Sequence, residues 1–163
     1  MGHPRHPGLE HRIGGIEKQD GTGNISYDPA NHERMVHLRA DKVAGIAHDI
    51  APVVVHGDVD DAELLVVGWG STWGAIDGAV NRCRAQQRRV AHIHLTHLNP
   101  FPPNLGEVLR QYPKVVVPEL NLGQLSRVLR AEFLVDARSV SKVQGVPFTA
   151  GELEAAIIKE MDQ

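Results

Sequence analysis

The stretch "KVVVPELNLGQL", Lys114 to Leu125, places Glu119, Asn121, Gly123 and Gln124 at the end of an apolar run. A carboxylate there can act as a general base, accept hydrogen bonds from a partner's backbone, or cap nearby N–H groups. Acid–base chemistry needs a second titratable group at matching spacing, and none follows Glu119. Asn121 suits a helix N-cap, and Gly123 permits close approach of another backbone. The cluster therefore reads as a strand-end turn. Asn121 and Gly123 launch a helix, while Glu119 and Gln124 are offered to a neighbouring subunit or a cofactor edge.

A second candidate is "VVGWGSTWG", Val66 to Gly74. A glycine turn between strand and helix can cradle phosphate on its N–H groups, which makes Gly70, Ser71 and Thr72 candidate contacts. The spacing Gly68, Gly70, Gly74 matches neither the dinucleotide fingerprint nor the P-loop. The plainer reading is a tight turn in which Ser71 or Thr72 caps the next helix. Ser71 sits in no nucleophile elbow. Cys83 falls among apolar helical positions and reads as core. In "HIHLTH", His92 and His94 share one face of a strand, but a zinc site needs further ligands, so no metal site is assigned. "NPFPP" fixes three φ angles around Phe101 and presents that ring, while Pro102 and Pro103 start a helix.

These residues need a scaffold, and the chain supplies it in two unlike parts. Residues 1–60 read as a loop-rich connector dense in Gly, Pro, Asn, Asp and His. One amphipathic helix is expected near 31–50, with Met35, Leu38, Val43, Ile46 and Ile50 on its apolar side and Asn31 as N-cap. From residue 61 to 163, short apolar runs alternate with helical patterns. "ELLVVGWG", "VAHIHLTHL", "KVVVP" and "RSVSKVQG" read as strands or short apolar runs. "TWGAIDGAVNRCRAQQRR", "NLGEVLRQY", "GQLSRVLRAEFL" and "TAGELEAAIIKEM" read as helices, the last opened by a Thr149–Glu152 capping box. The strands are too apolar to leave a face in water. The expected fold is α/β, a small doubly wound and mostly parallel sheet with helices on both faces.

Apolar residues make up 42% of the 163, enough for a core, and aromatic residues only 4%, so aliphatic side chains must fill it. A net charge of −3 argues against nucleic acid or a membrane surface as partner. The single cysteine allows no internal disulfide and points to a reducing cytoplasm. No apolar run reaches the roughly 18 residues of a membrane span, and "MGHPRHPGLEHRIGG" lacks a signal-peptide core.

In this order, "GWGSTWGAIDGAV", "HLNPFPP" and "VVVPELNLGQLSRVLR" resemble the C-terminal part of the alpha subunit of 2-oxoacid:ferredoxin oxidoreductases, most closely those acting on 2-oxoglutarate. "GLEHRIGG" and "ANHERMVHLRADK" are similar to the connector upstream of that domain. The resemblance implies a transketolase C-terminal-like fold with a structural, subunit-contacting role. Candidate contacts are Gly70, Ser71, Thr72, Phe101, Glu119, Asn121, Gly123 and Gln124, and no catalytic residue is assigned. For the complete complex it implies a beta subunit, the remaining alpha domains, ferredoxin, thiamine diphosphate, magnesium, an iron–sulfur cluster and CoA. This segment binds none of the cofactors alone and reads as a fragment or separately encoded piece, inactive by itself. The alternative is an independent α/β module gripping a phosphate or nucleotide at Gly68–Gly74.

Overall fold

The computed structural model describes residues 7–8, 13–15 and 17–163 and divides into two compact units, 1–47 and 48–163. In the first unit, a turn brings Lys18 and Ile25 into an antiparallel bridge. Helix α1, Pro29–Gly45, follows. Its cap is Asp28, whose side chain accepts from Ala30 N, with Pro29 as the first helical residue, where its missing N–H costs nothing. Asn31, the expected cap, instead donates its amide to Lys18 O at 3.2 Å. Glu17 accepts from Arg39 and His32 on α1, and these hydrogen bonds hold its carboxyl at a pKa of about 2. Of the expected apolar side, Leu38, Val43 and Ile46 stay exposed and Met35 is half-buried.

The segment 48–60, grouped by composition with the connector, packs with the second unit. Ile50 is buried, and Val53 and Val55 lie against the core. The Asn104 side chain grips Val53 at both backbone groups, accepting from N at 2.8 Å and donating to O at 3.0 Å. That segment ends in a strand the sequence pattern did not reveal, β1, His56–Gly57. Two residues are too short for any periodicity to mark.

The other strands are β2 (Leu64–Trp69), β3 (Val90–Leu95), β4 (Val115–Glu119) and β5 (Ala137–Ser141). They form one sheet in the order β1-β3-β2-β4-β5, parallel except for β1. The helices are α2 (Trp73–Ala85), α3 (Leu105–Arg110), α4 (Gln124–Phe133) and α5 (Ala150–Met161). This is the doubly wound, mostly parallel sheet that the alternation of runs implied.

Strand alternation sorts the core onto two faces. Leu65, Val67, Ile93, Val115 and Val117 meet Leu105 and Leu109 of α3 and Leu125 and Leu129 of α4. Leu64, Val66, Val90 and Val116 meet Ile76, Val80 and Cys83 of α2 and Leu153 and Ile157 of α5. The α5 capping box forms as expected. Lys142 Nζ joins it, and with the Thr149 N–H and hydroxyl it holds Glu152 at a pKa of about 2.

Leu129 is fully buried, whereas Leu122 is 72% exposed. Leu129→Ala should therefore cost roughly 2–5 kcal/mol in urea unfolding and Leu122→Ala less than about 0.5 kcal/mol. Equal losses would contradict this assignment of the core.

Candidate functional site

The ladders of the sheet are unequal. β2 pairs with β3 through Trp69↔Leu95, and β4 with β5 through Glu119↔Ser141. Between β2 and β4 the ladder holds only two pairs, Leu65↔Val115 and Val66↔Val116. Beyond them the chain after β2 turns to the α2 face and the chain after β4 to the α4 face. This is the topological switch point of an open sheet, where a crevice forms outside the carboxyl ends of the strands. Its cavity, of about 250 Å³, is lined by Trp69, Gly70, Ser71, Thr72, Leu120 and Asn121. A neighbouring groove of about 160 Å³ runs along Trp69, Leu98, Phe101, Gln124, Leu125 and Val128. None of these eleven residues is charged.

On one wall, Gly70–Thr72 forms a single 3-10 turn. Thr72 makes no cap bond to α2. Its hydroxyl donates to Trp69 O at 2.8 Å and receives Trp69 N–H at 3.2 Å, so it ties the turn back onto the strand. His94 Nε2 donates to Gly70 O at 3.1 Å. A carbonyl can only accept, which fixes that tautomer. Gly68 is required by crowding, since a Cβ there would lie 2.6 Å from Ile76 Cδ1 and 2.9 Å from His94 Nδ1.

On the other wall, Glu119 ends β4 and is completely buried. Its Oε2 accepts from Leu125 N at 2.7 Å and its Oε1 from Ser126 N at 3.0 Å. Both carboxylate oxygens are thus committed to the first turn of α4, and Glu119 is not presented to a neighbour. Asn121 caps the same helix from two residues before its N-cap position. Its Oδ1 accepts from Gly123 N and Gln124 N, each at 2.9 Å. The N-cap position belongs to Gly123, whose φ of +81° is left-handed and costs glycine little. Gln124 and Phe101 line the groove, and Phe101 is half-buried against Phe133, with ring centroids 5.5 Å apart.

The sequence candidates Gly70, Ser71, Thr72 and Asn121 therefore meet in one crevice. Glu119 lies beneath it, and Phe101 and Gln124 lie in the adjoining groove. Trp69, Leu98, Leu120 and Val128 were not singled out in the sequence. The only signal for Trp69 was its place between two turn glycines. For the others there was none, because an exposed aliphatic residue is ordinary.

The histidine face of β3 forms a separate cluster. His92 stacks on His56 with ring centroids 5.2 Å apart, and Trp73 lies 5.1 Å from His92 and 5.3 Å from His94. His97 bonds to Thr96 instead. Among the described residues no three His, Cys, Asp or Glu side chains converge on a metal position. Cys83 is buried in the core, where burial pushes its thiol pKa up, so it suits neither a nucleophile nor a cluster ligand. The residues described here do not fit a metal–diphosphate or iron–sulfur site. No helix among them is long and apolar enough to cross a membrane.

The fold and this uncharged crevice define an open α/β domain of the kind also seen in a split-gene transketolase. That structure aligns over 69% of this chain and 43% of its own with a TM-score of 0.53 at 20% identity, a likeness of fold alone. Residues 62–153 match the family described as pyruvate:ferredoxin oxidoreductase core domain II, and the chain belongs to that family. It is 57% identical over 150 residues to the 2-oxoglutarate oxidoreductase subunit KorA of Mycobacterium tuberculosis, covering 92% of this chain and 23% of that protein. A 2-oxoglutarate:ferredoxin oxidoreductase from Magnetococcus marinus, solved with 2-oxoglutarate, coenzyme A and succinyl-CoA bound, aligns over 99% of this chain and 28% of its own. The TM-score is 0.88 at 31% identity. The chain thus spans about a quarter of the length of these relatives.

Glu119→Gln keeps the size of the side chain but turns an NH₂ toward one of the two N–H groups. It should destabilise by about 2–4 kcal/mol, since charge-assisted bonds to a buried group are lost. Hydrogen exchange at Leu125 and Ser126 should accelerate more than exchange in α5. A neutral outcome would show that the carboxylate is not the anchor of α4.

Proposed function

We propose that this chain acts as core domain II of the alpha subunit of a 2-oxoacid:ferredoxin oxidoreductase, with 2-oxoglutarate as the 2-oxoacid. The observation that carries this reading is the 57% identity to a protein named as a 2-oxoglutarate oxidoreductase subunit. The assembled enzyme oxidatively decarboxylates the 2-oxoacid, releases an acyl-CoA and passes electrons to ferredoxin in the cytoplasm. Thiamine diphosphate, magnesium and the iron–sulfur cluster are held by other parts of that assembly, and no step of the reaction is assigned to a side chain here.

The domain's own contribution is structural. Its switch-point crevice and the adjoining groove offer Gly70, Ser71, Asn121, Gln124 and Phe101 to the beta subunit or to the remaining alpha domains, while Thr72 and Gly123, both buried, shape the walls from behind. The exposed Leu120 and Leu122 flank this surface and add apolar area that can be removed from water at modest cost to the isolated domain. An uncharged rim suits a packed protein contact better than a phosphate, which would call for a cation or a longer run of free N–H groups.

Co-expression of the tagged chain with the beta subunit and the remaining alpha segment tests the proposal. Co-purification is expected, together with ferredoxin reduction that depends on 2-oxoglutarate. Leu120→Asp and Leu122→Asp should weaken association at least tenfold, with little change in the urea midpoint of the chain alone. A folded chain that neither associates nor changes activity, but binds nucleotide tightly, would overturn the subunit reading.

A further inference from the structure

His92 is unusual among the buried polar side chains. It is 2% exposed, sits at a strand position on the α2 face, and both of its ring nitrogens lack a hydrogen-bond partner. The groups that face it are few. His56 stacks on it from β1, and Trp73 and Asp77 approach from α2, with Asp77 Oδ1 3.9 Å from His92 Nε2. His94 lies two residues along β3, and the neighbouring strand β2 brings only the uncharged Val66 and Gly68 opposite this stretch. The cover over His92 is therefore shared by the imidazole of His56 on β1, itself exposed, and the indole of Trp73 on α2.

β1 is held weakly at that point. It has two paired residues, His56↔His92 and Gly57↔Ala91, on the edge of the sheet. Its far end is pinned by Asp58, which pairs with Arg84 at 3.1 Å and accepts from Val90 N at 3.2 Å. Its near end is pinned by the Asn104 grip on Val53. Between these two anchors lies a short strap closed by one ring against another.

We propose that β1 is a proton-released strap, which opens at His56 when His92 takes up a proton and closes when it gives the proton up. The closed state cannot easily hold the charge. Neither nitrogen of His92 has a partner to accept from it, a second imidazole lies face to face, and Asp77 is too far for a short hydrogen bond. Opening exposes His92 to water, where the imidazolium is solvated. The proposal is independent of the enzyme reading, since it rests on this cluster alone.

The sign and size follow from linkage. Burial, then the neighbouring His56, holds the closed-state pKa of His92 at about 4, against an ordinary 6.5 when open. Asp77 acts in the opposite direction. The open state therefore binds more protons between these values, and opening grows as pH falls below 6.5 and levels off below 4. From pH 7.5 to pH 5 the opening equilibrium should rise about 30-fold by the same linkage.

Hydrogen exchange on the intact chain, corrected for the pH dependence of the intrinsic rate, reads this directly. Amides of residues 56–58 should lose protection about 30-fold between pH 7.5 and pH 5 and regain it on return, while those of β4 and α5 stay protected. His92→Phe keeps a ring in the stack and should remove the pH response. Asp77→Asn lies on a part-exposed side chain outside the core; it should leave the response between pH 7.5 and pH 5 unchanged and move the levelling-off to lower pH, because it withdraws the one group that eases protonation in the closed state. Unchanged protection at 56–58, loss in step with β4, or the same loss in the His92→Phe variant would each overturn the proposal. Should His92→Phe fail to fold, a levelling-off that Asp77→Asn does not move to lower pH overturns it equally.

Discussion

Glu119 places a carboxylate at the end of a central parallel strand, out of reach of water, with each oxygen bonded to a backbone N–H of α4. A buried charge is tolerated only where its acceptors are filled, and the start of a helix supplies free N–H groups together with the positive end of its dipole. The two needs cancel. That contact fixes where α4 begins and so where Leu125 and Leu129 enter the core. It also sets the tight loop from Leu120 to Gly123, and with it the position of the Asn121 side chain in the crevice.

The crevice follows from the same constraint. β2 leads to α2 on one face, and Glu119 commits β4 to α4 on the other. With their continuations drawn apart, the two strands pair only at their beginnings. The gap is walled on one side by a turn that Thr72 and His94 hold rigid, and on the other by a loop that Glu119 and Asn121 hold rigid. Glu119, Asn121 and Thr72 are engaged with backbone, while the buried Trp69 indole N–H has no partner. What remains at the surface is uncharged, with exposed leucines at its rim. Such a surface favours association over bond-breaking chemistry, in keeping with the architectural role proposed for the domain. The histidine cluster adjoins one wall of the crevice through His94 and reaches out to β1 at the edge of the sheet, where the weakest strand also covers an unpaired imidazole.

Much of this was legible in the order of residues. Alternating apolar runs and helical patterns from Leu64 to Met161 determined an α/β sheet, because a strand buried on both faces must be apolar throughout, while its covering helices need only a stripe. The Thr149–Glu152 box announced α5, and the position of Cys83 announced core. Asn121 and Gly123 were correctly read as the launch of a helix, whereas Glu119, read as offered to a neighbour, turns inward to cap that helix. Their division of labour was not legible, since "PELNLGQL" fits a carboxylate turned outward as well as one turned inward. Nor was β1, whose two residues carry no pattern, or the capping of α1 by Asp28 over Asn31, where two good cap residues flank one proline.

The order of residues was thus enough for the class of fold and for the helix launch after β4, which depend on periodicity and local turn chemistry within a few residues of one another, and the family was read from the resemblance of whole motifs. Only the tertiary structure decided that Glu119 faces inward, that Gly70–Thr72 meets Leu120 and Asn121, and that His56 covers His92. Each of these depends on which strands become neighbours, and strand order is set by packing between segments dozens of residues apart. For Glu119 the physical reason is specific: a carboxylate goes into the interior only where two backbone donors are already waiting, and those donors exist only once α4 has docked against β4.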